Sequence, residues 1–165
     1  MELDFRKAVL DYKDTVYKIA YAGCGNSHDA DDIFQDVFFA LCQGKKKFDS
    51  EEHLKAWLIR VTVNRVKSHL RSFHVKKRAV IEENFVPASA DIEEAEELRL
   101  IREAVMSLPE NYRITVILYY YCGYSCAEIA GILKMKEPTV KTRLKRARDK
   151  LKIQLREEIC YDRQG

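Results

Sequence analysis

The sequence predicts an all-α protein made of two small helical domains joined by a flexible linker. Three observations carry this. Apolar residues recur at intervals of three and four through most of the 165 residues. Strand-like alternation is absent throughout. The helical periodicity fails once, from about His74 to Asp91, where "VKKRAVIEENFVPASAD" turns from basic to acidic around Pro87. Domains are therefore expected at 1–73 and 92–165, with the linker at 74–91.

The elements follow in order. Phe5, Val9, Tyr12, Val16 and Ile19 mark a first helix, which Gly23 and Gly25 can stop. A second helix, capped by Ser27 or Asp29, carries Ile33, Phe34, Val37, Phe38 and Leu41 and ends near Gly44. Asp49 and Glu52 have capping-box spacing for a third helix. That helix turns Leu54, Trp57, Leu58 and Val61 inward and runs to about Ser72. Beyond the linker, "IEEAEELRLIREAVMSL" is helical and closed by Pro109, and "NYRITVILYYYCG" is a further helix ending at Gly123. "SCAEIAGILK", a short turn and a long basic helix complete the chain.

Composition excludes several classes. With 47% hydrophobic and 33% charged residues the chain is that of a folded, soluble protein. Its most apolar stretch, Ile114–Cys122, is far shorter than the roughly 18 residues a membrane span needs. The start, "MELDFRKAVLDYKD", lacks the pattern of a signal peptide. Five scattered cysteines argue for a reducing compartment, and so for the cytoplasm, and against a disulfide framework. Cys122 and Cys126 have no second pair at finger-like spacing, so no metal is expected. The four histidines, His28, His53, His69 and His74, form no triad-like or ligand-like arrangement, and there is no Gly-rich phosphate loop. No enzyme and no cofactor are expected.

Charge is unevenly placed. Residues 51–80 hold eight basic and two acidic side chains, residues 81–105 two and eight, and residues 106–165 twelve and seven. Two basic surfaces thus flank an acidic segment, as suits two contacts with a polyanion. The sharpest concentration is "TVKTRLKRARDK", Thr139–Lys150, in which six of twelve residues are Lys or Arg. Val140, Leu144, Ala147 and Leu151 form a narrow apolar stripe, so the other faces of this helix are cationic. Upstream, Ser125 is placed to cap a helix with Ile129, Ala130 and Leu133 inward. A turn around Lys134–Lys136 follows, and Pro138 suits the first turn of the next helix. This is the anatomy of a helix-turn-helix, whose second helix enters the major groove.

"LPENYRITVILYYYCGYSCAEIAGILKMKEPTVKTRLKRARDKL" resembles region 4 of bacterial sigma factors, most closely the extracytoplasmic-function class of the sigma-70 family. "DADDIFQDVFFAL" and "FDSEEHLKAWLIRVTVNRVKSHLRS" resemble regions 2.2 to 2.4 of the same family. The resemblance covers nearly the whole chain in the family's order. Lys134 and Pro138 stand where the family commonly has Gly, and Lys136 where it has a small capping residue.

The resemblance implies an alternative sigma factor that directs core RNA polymerase to the −10 and −35 elements of promoter DNA. An anti-sigma factor is a further implied partner. Asp32, Gln35 and Asp36 would meet the clamp coiled coil of the polymerase β′ subunit, with Phe38 and Phe39 in the core or partly at the interface. The loop from Lys46 to Glu52 would capture a flipped −10 base. Asn64 would read a base, while Lys67 and Arg71 follow phosphates. Trp57 is expected in the core. Lys141, Thr142, Lys145 and Arg146 would read the −35 element, with Thr139 beside them and Arg143 and Arg148 on phosphates. The rival expectation is an autonomous regulator that binds an operator as a dimer. Residues 29–72 discriminate, because a sensor domain has no reason to set acidic Asp32–Asp36 beside basic Arg60–Arg71.

Overall fold

A computed structural model describes the backbone of residues 2–79 and 96–162 and the side chains of residues 2–72 and 96–157. The described residues are almost wholly helical, and they form two compact units, the first from the N-terminal half together with Gly131–Leu133 and the second from the rest of the C-terminal half.

The first unit is a three-helix assembly: α1 (Phe5–Cys24), α2 (Ser27–Gln43) and α3 (Glu51–Ala79). Each helix packs on the other two. Their shared core includes Val16, Ala20, Ile33, Val37, Phe38, Leu41, Leu54, Leu58 and Val66. Helix α1 ends at Gly25, whose φ of 80° is the left-handed conformation that glycine takes without steric cost. Gly23 has a different role from the stop signal expected of it. It is buried inside α1, and a Cβ there would lie 2.5 Å from Val66 Cγ1, so α1 and α3 cross closely at this point.

Two caps differ from expectation. The N-cap of α2 is Asn26, ahead of both Ser27 and Asp29. Its side-chain oxygen accepts from the Asp29 N–H at 2.9 Å, and its amide donates to the Asp29 carboxylate at 2.7 Å. At the start of α3, the Ser50 hydroxyl accepts from the His53 N–H at 3.1 Å, so the cap falls one residue after Asp49. The other end of α3 also shifts. The helix runs to Ala79, past Ser72 and into the expected linker. The remainder of that linker, 80–91, lies outside the described residues.

The second unit holds α4 (Glu96–Ser107), α5 (Glu110–Val116), α6 (Cys126–Leu133) as far as Ala130, and α7 (Glu137–Asp162). Helix α5 does not run straight to Gly123. It widens into a π-turn over Ile117–Tyr121, closed by the Cys122 N–H donating to the Ile117 carbonyl at 3.1 Å. Buried Arg113 joins α5 to the end of α4, donating to the carbonyls of Met106 and, at 3.1 Å, Leu108. Those carbonyls sit where a helix end leaves its acceptors without intrahelical donors. Helix α7 packs against α4 and α5 and buries Val140, Leu144 and Ala147 completely or nearly so.

Candidate functional site

Three surfaces carry the residues singled out in the sequence. On α2, Asp32, Gln35 and Asp36 are all exposed. Spaced at three and four residues, they share the face opposite buried Ile33, Val37 and Leu41. The same spacing continues to Phe39, which is 61% exposed, whereas Phe38 is buried. The sequence grouped the two phenylalanines. The fold separates them and sets Phe39 among the acidic residues as an exposed apolar side chain.

Two histidines lie at the N-terminal end of this face. His69 of α3 reaches Asp29 at 3.0 Å, and His28 lies 3.6 Å from Asp29 and 3.8 Å from Asp32. Burial alone would raise the Asp29 carboxyl. The Asn26 amide, the His69 charge and the hydrogen bonds from His28 and His69 outweigh it and hold the group below the ordinary value of 3.8. This grouping joins residues far apart in the chain, and no spacing signal marks it.

On α3, Arg60, Asn64, Lys67 and Arg71 recur at four, three and four residues, a stripe about 60° wide. Asn64 and Arg71 are exposed, and Arg60 and Lys67 are half-buried. Arg65 is off this stripe and pairs instead with Asp36 of α2 at 3.6 Å. Between α2 and α3, Phe48 is buried and meets the ring of Trp57 edge-on, with centroids 5.5 Å apart. Lys46 Nζ lies 5.9 Å from the centroid of Trp57. Trp57 itself is half-buried at the edge of the core, so one part of it is packed and another is open.

The third surface is the helix-turn-helix. Ser125 caps α6 in a complete capping box. Its hydroxyl accepts from the Glu128 N–H at 3.2 Å, and the Glu128 carboxylate accepts from the Ser125 N–H at 2.8 Å. Lys134 ends α6 at φ 53°, left-handed although it is not glycine. Helix α7 then begins at Glu137, with Pro138 in its first turn. Thr139, Lys141, Thr142, Lys145, Arg146 and Arg148 are exposed, and Arg143 is half-buried. Their partners differ. Lys141 pairs with Glu137 at 3.3 Å, and Arg148 donates to the Tyr120 hydroxyl at 3.1 Å. The Thr142 hydroxyl donates to the Pro138 carbonyl at 2.9 Å, which leaves its lone pairs to accept from outside.

A helix-turn-helix bearing a cationic second helix defines a DNA-binding protein, here carried with a separate three-helix unit. The comparisons with known proteins give the particular family. The chain matches Sigma-70 region 2 over residues 8–74 and Sigma-70, region 4 over residues 98–151. It is 29% identical over 161 residues to the ECF RNA polymerase sigma factor SigW of Bacillus subtilis (strain 168), covering 88% of this chain and 86% of that one. It is 31% identical over 136 residues to the ECF RNA polymerase sigma factor SigM of Mycobacterium tuberculosis, covering 82% and 69%. Among solved structures, the sigma factor RpoE in complex with the anti-sigma factor NepR from Bartonella quintana matches with a TM-score of 0.71 and 25% identity, over 93% of this chain and 97% of that one. The chain belongs to the extracytoplasmic-function sigma factors of the sigma-70 family, and its function is that of an alternative sigma factor in transcription initiation. The reading as an autonomous operator-binding dimer is set aside. No helix among the described residues is long and apolar enough to cross a membrane.

Proposed function

We propose that residues 1–73 dock on core RNA polymerase and hold the −10 element, and that residues 92–165 bind the −35 element. Asp32, Gln35 and Asp36 supply the polymerase contact, and Phe39 adds its apolar centre. An acidic face with one exposed aromatic suits a basic, partly apolar helix. On α3, Asn64 reads a base of the melted strand while Lys67 and Arg71 hold its phosphates. An amide can donate and accept at once, which suits an unpaired base edge. On α7, Lys141, Thr142, Lys145 and Arg146 read the −35 bases. Thr139, Arg143 and Arg148 hold the backbone beside them.

The protein acts by positioning, with no catalytic step of its own, and it works in the cytoplasm, where polymerase and promoter meet. An anti-sigma factor is its proposed regulator. The support is the likeness to RpoE, whose structure was solved with one.

One observation carries this reading above the rest. A single chain presents an exposed acidic face on α2, a partly exposed basic face on α3 and an exposed basic face on α7. Polymerase docking needs the first, and two promoter elements need the other two. The experiment is run-off transcription with purified core polymerase on a promoter library. Initiation from promoters that share two spaced elements is expected. Sequence-specific binding without core polymerase, and no initiation with it, would overturn the reading.

A further inference from the structure

Around α7 the cations divide into two sets, and one set faces a groove. Thr139, Thr142, Arg143, Arg146 and Lys150 line one wall of an open groove of about 680 Å³. Its other wall is Asn111 and Tyr112 of α5, with Pro109 beside them. The groove lies within the second unit, and no carboxylate is among its lining residues.

The state of the cations distinguishes this groove from the rest of α7. On the far flank, Lys141 has Glu137 and Arg148 has Tyr120. Among the described residues, no carboxylate pairs with Arg143, Arg146 or Lys150. Three cations sharing a concave surface repel one another, and an anion entering the groove relieves that repulsion. The opposite wall adds neutral donors, an amide from Asn111 and a phenol from Tyr112. Cations on one side with neutral donors on the other suit a phosphodiester, which offers charge and acceptor oxygens together.

We propose that one strand of promoter DNA lays its backbone in this groove, and that Asn111 and Tyr112 bind its phosphate from the side opposite α7. The inference rests on the reading of α7 as the −35 helix. It adds two residues outside the helix-turn-helix to the DNA-binding set. It also gives Arg146 two neighbours, the base edges on one side and this phosphate on the other.

The test is a methylphosphonate scan. Single phosphates across the −35 duplex are replaced by neutral methylphosphonates, and binding is measured with the full chain assembled on core polymerase. With the unaltered protein, one or two adjacent replacements should weaken binding roughly tenfold. In the Asn111→Ala, Tyr112→Phe variant those same replacements should cost much less, because the partner is already gone. That variant should lose affinity equally on all −35 sequences and keep its salt dependence, since it loses no cation. Lys150→Ala should couple to the same phosphates and flatten the log–log salt slope by about 0.9. Asn111 is exposed and Tyr112→Phe keeps the ring, so both changes leave the fold in place.

Fully additive losses, with no phosphate singled out, would overturn the proposal. Lys145→Ala separates the two levels, because Lys145 does not line the groove. If Lys145→Ala alters the −35 preference while the scan stays additive, only the groove is wrong. If neither responds, the −35 reading of α7 falls and the groove falls with it.

Discussion

Helices α3 and α7 are both long and basic, and each rests along one side on its own unit's core, yet their charges are placed differently. In α3, the cation nearest the acidic face of α2 is used inside the protein: Arg65 pairs with Asp36. Both side chains are about half-exposed, so the pair itself contributes well under about 1 kcal/mol. Its importance is positional, because the faces of α2 and α3 proposed for polymerase docking and for the −10 element meet through it. In α7, Lys141 finds its partner on the same helix and Arg148 finds a neutral phenol, while Arg143, Arg146 and Lys150 face the groove. Under the proposed roles the first unit couples its two tasks, and the second keeps its charge for one.

That contrast predicts mixed effects in the first unit and clean ones in the second. The largest effect should follow from Asp32→Arg with Asp36→Arg. Reversing two charges on a docking face should weaken core-polymerase binding on the order of a hundredfold. Circular dichroism should be unchanged, since both residues are exposed. Because Asp36→Arg also places a cation against Arg65, part of the defect should appear at the −10 element, even at polymerase concentrations that restore the complex. Unchanged co-purification with core polymerase would break the comparison at its root.

The next effect belongs to α7. Arg146→Ala should cost about 1–3 kcal/mol of promoter binding and relax the preference at one −35 position. Lys150→Ala should weaken every −35 sequence alike. Neither should alter core binding. A promoter selection with Arg146→Ala that returns the original −35 preference would remove its base-reading role.

A third, smaller pair of effects tests the division of labour along α3. Asn64→Ala should leave core binding intact and change the −10 preference. Lys67→Ala should weaken all −10 sequences and flatten the salt slope by about 0.7–0.9. Holoenzymes compared on promoters varied one base at a time, at several salt concentrations, separate the two. The reverse pattern would exchange their roles.

Much of this layout was legible in the sequence because apolar periodicity reports burial. Leu54, Leu58, Val140 and Leu144 announced the helices that bear the residues proposed to face DNA, and all four are buried. The same logic explains what was missed. Helix α3 continues to Ala79 through "FHVKKRA", whose few apolar residues set no helical period, although no Gly or Pro stops the helix. A helix without an apolar stripe gives no periodic signal. The π-turn after Val116 adds one residue to a turn of apolar residues, which leaves no mark on composition. Asn26 and Ser50 were passed over as caps because good capping residues stand beside each of them, and the choice depends on backbone angles that spacing does not encode. Phe39 was grouped with Phe38, although adjacent helical residues point about 100° apart. The groove wall of Asn111 and Tyr112 exists only because α5 lies against α7, and that is a tertiary fact.

The smallest predicted effect concerns two helix ends that solve one problem differently. Helix α1 ends on Gly25 at φ 80°, and α6 ends on Lys134 at φ 53°. Both amides donate back to the helix they close, to Tyr21 and Ala130 respectively. Glycine adopts this conformation freely, whereas a side chain with a Cβ is held there at a cost of about 1–2 kcal/mol. The turn of the helix-turn-helix is therefore strained where the turn of the first unit is not. Lys134→Gly should stabilise the second unit by about 0.5–1 kcal/mol, less than the full steric cost because glycine also loses more backbone freedom on folding. Lys134→Ala is the control. It removes the same charge and keeps the Cβ, so the Gly-minus-Ala difference isolates the backbone. Native-state amide exchange along α6 and α7 reads the effect in that unit alone. If the two variants exchange equally, the left-handed turn carries no strain and the contrast between the two helix ends has no energetic meaning. If Gly is the more protected, α7 is held in place by a turn that works against its own residue.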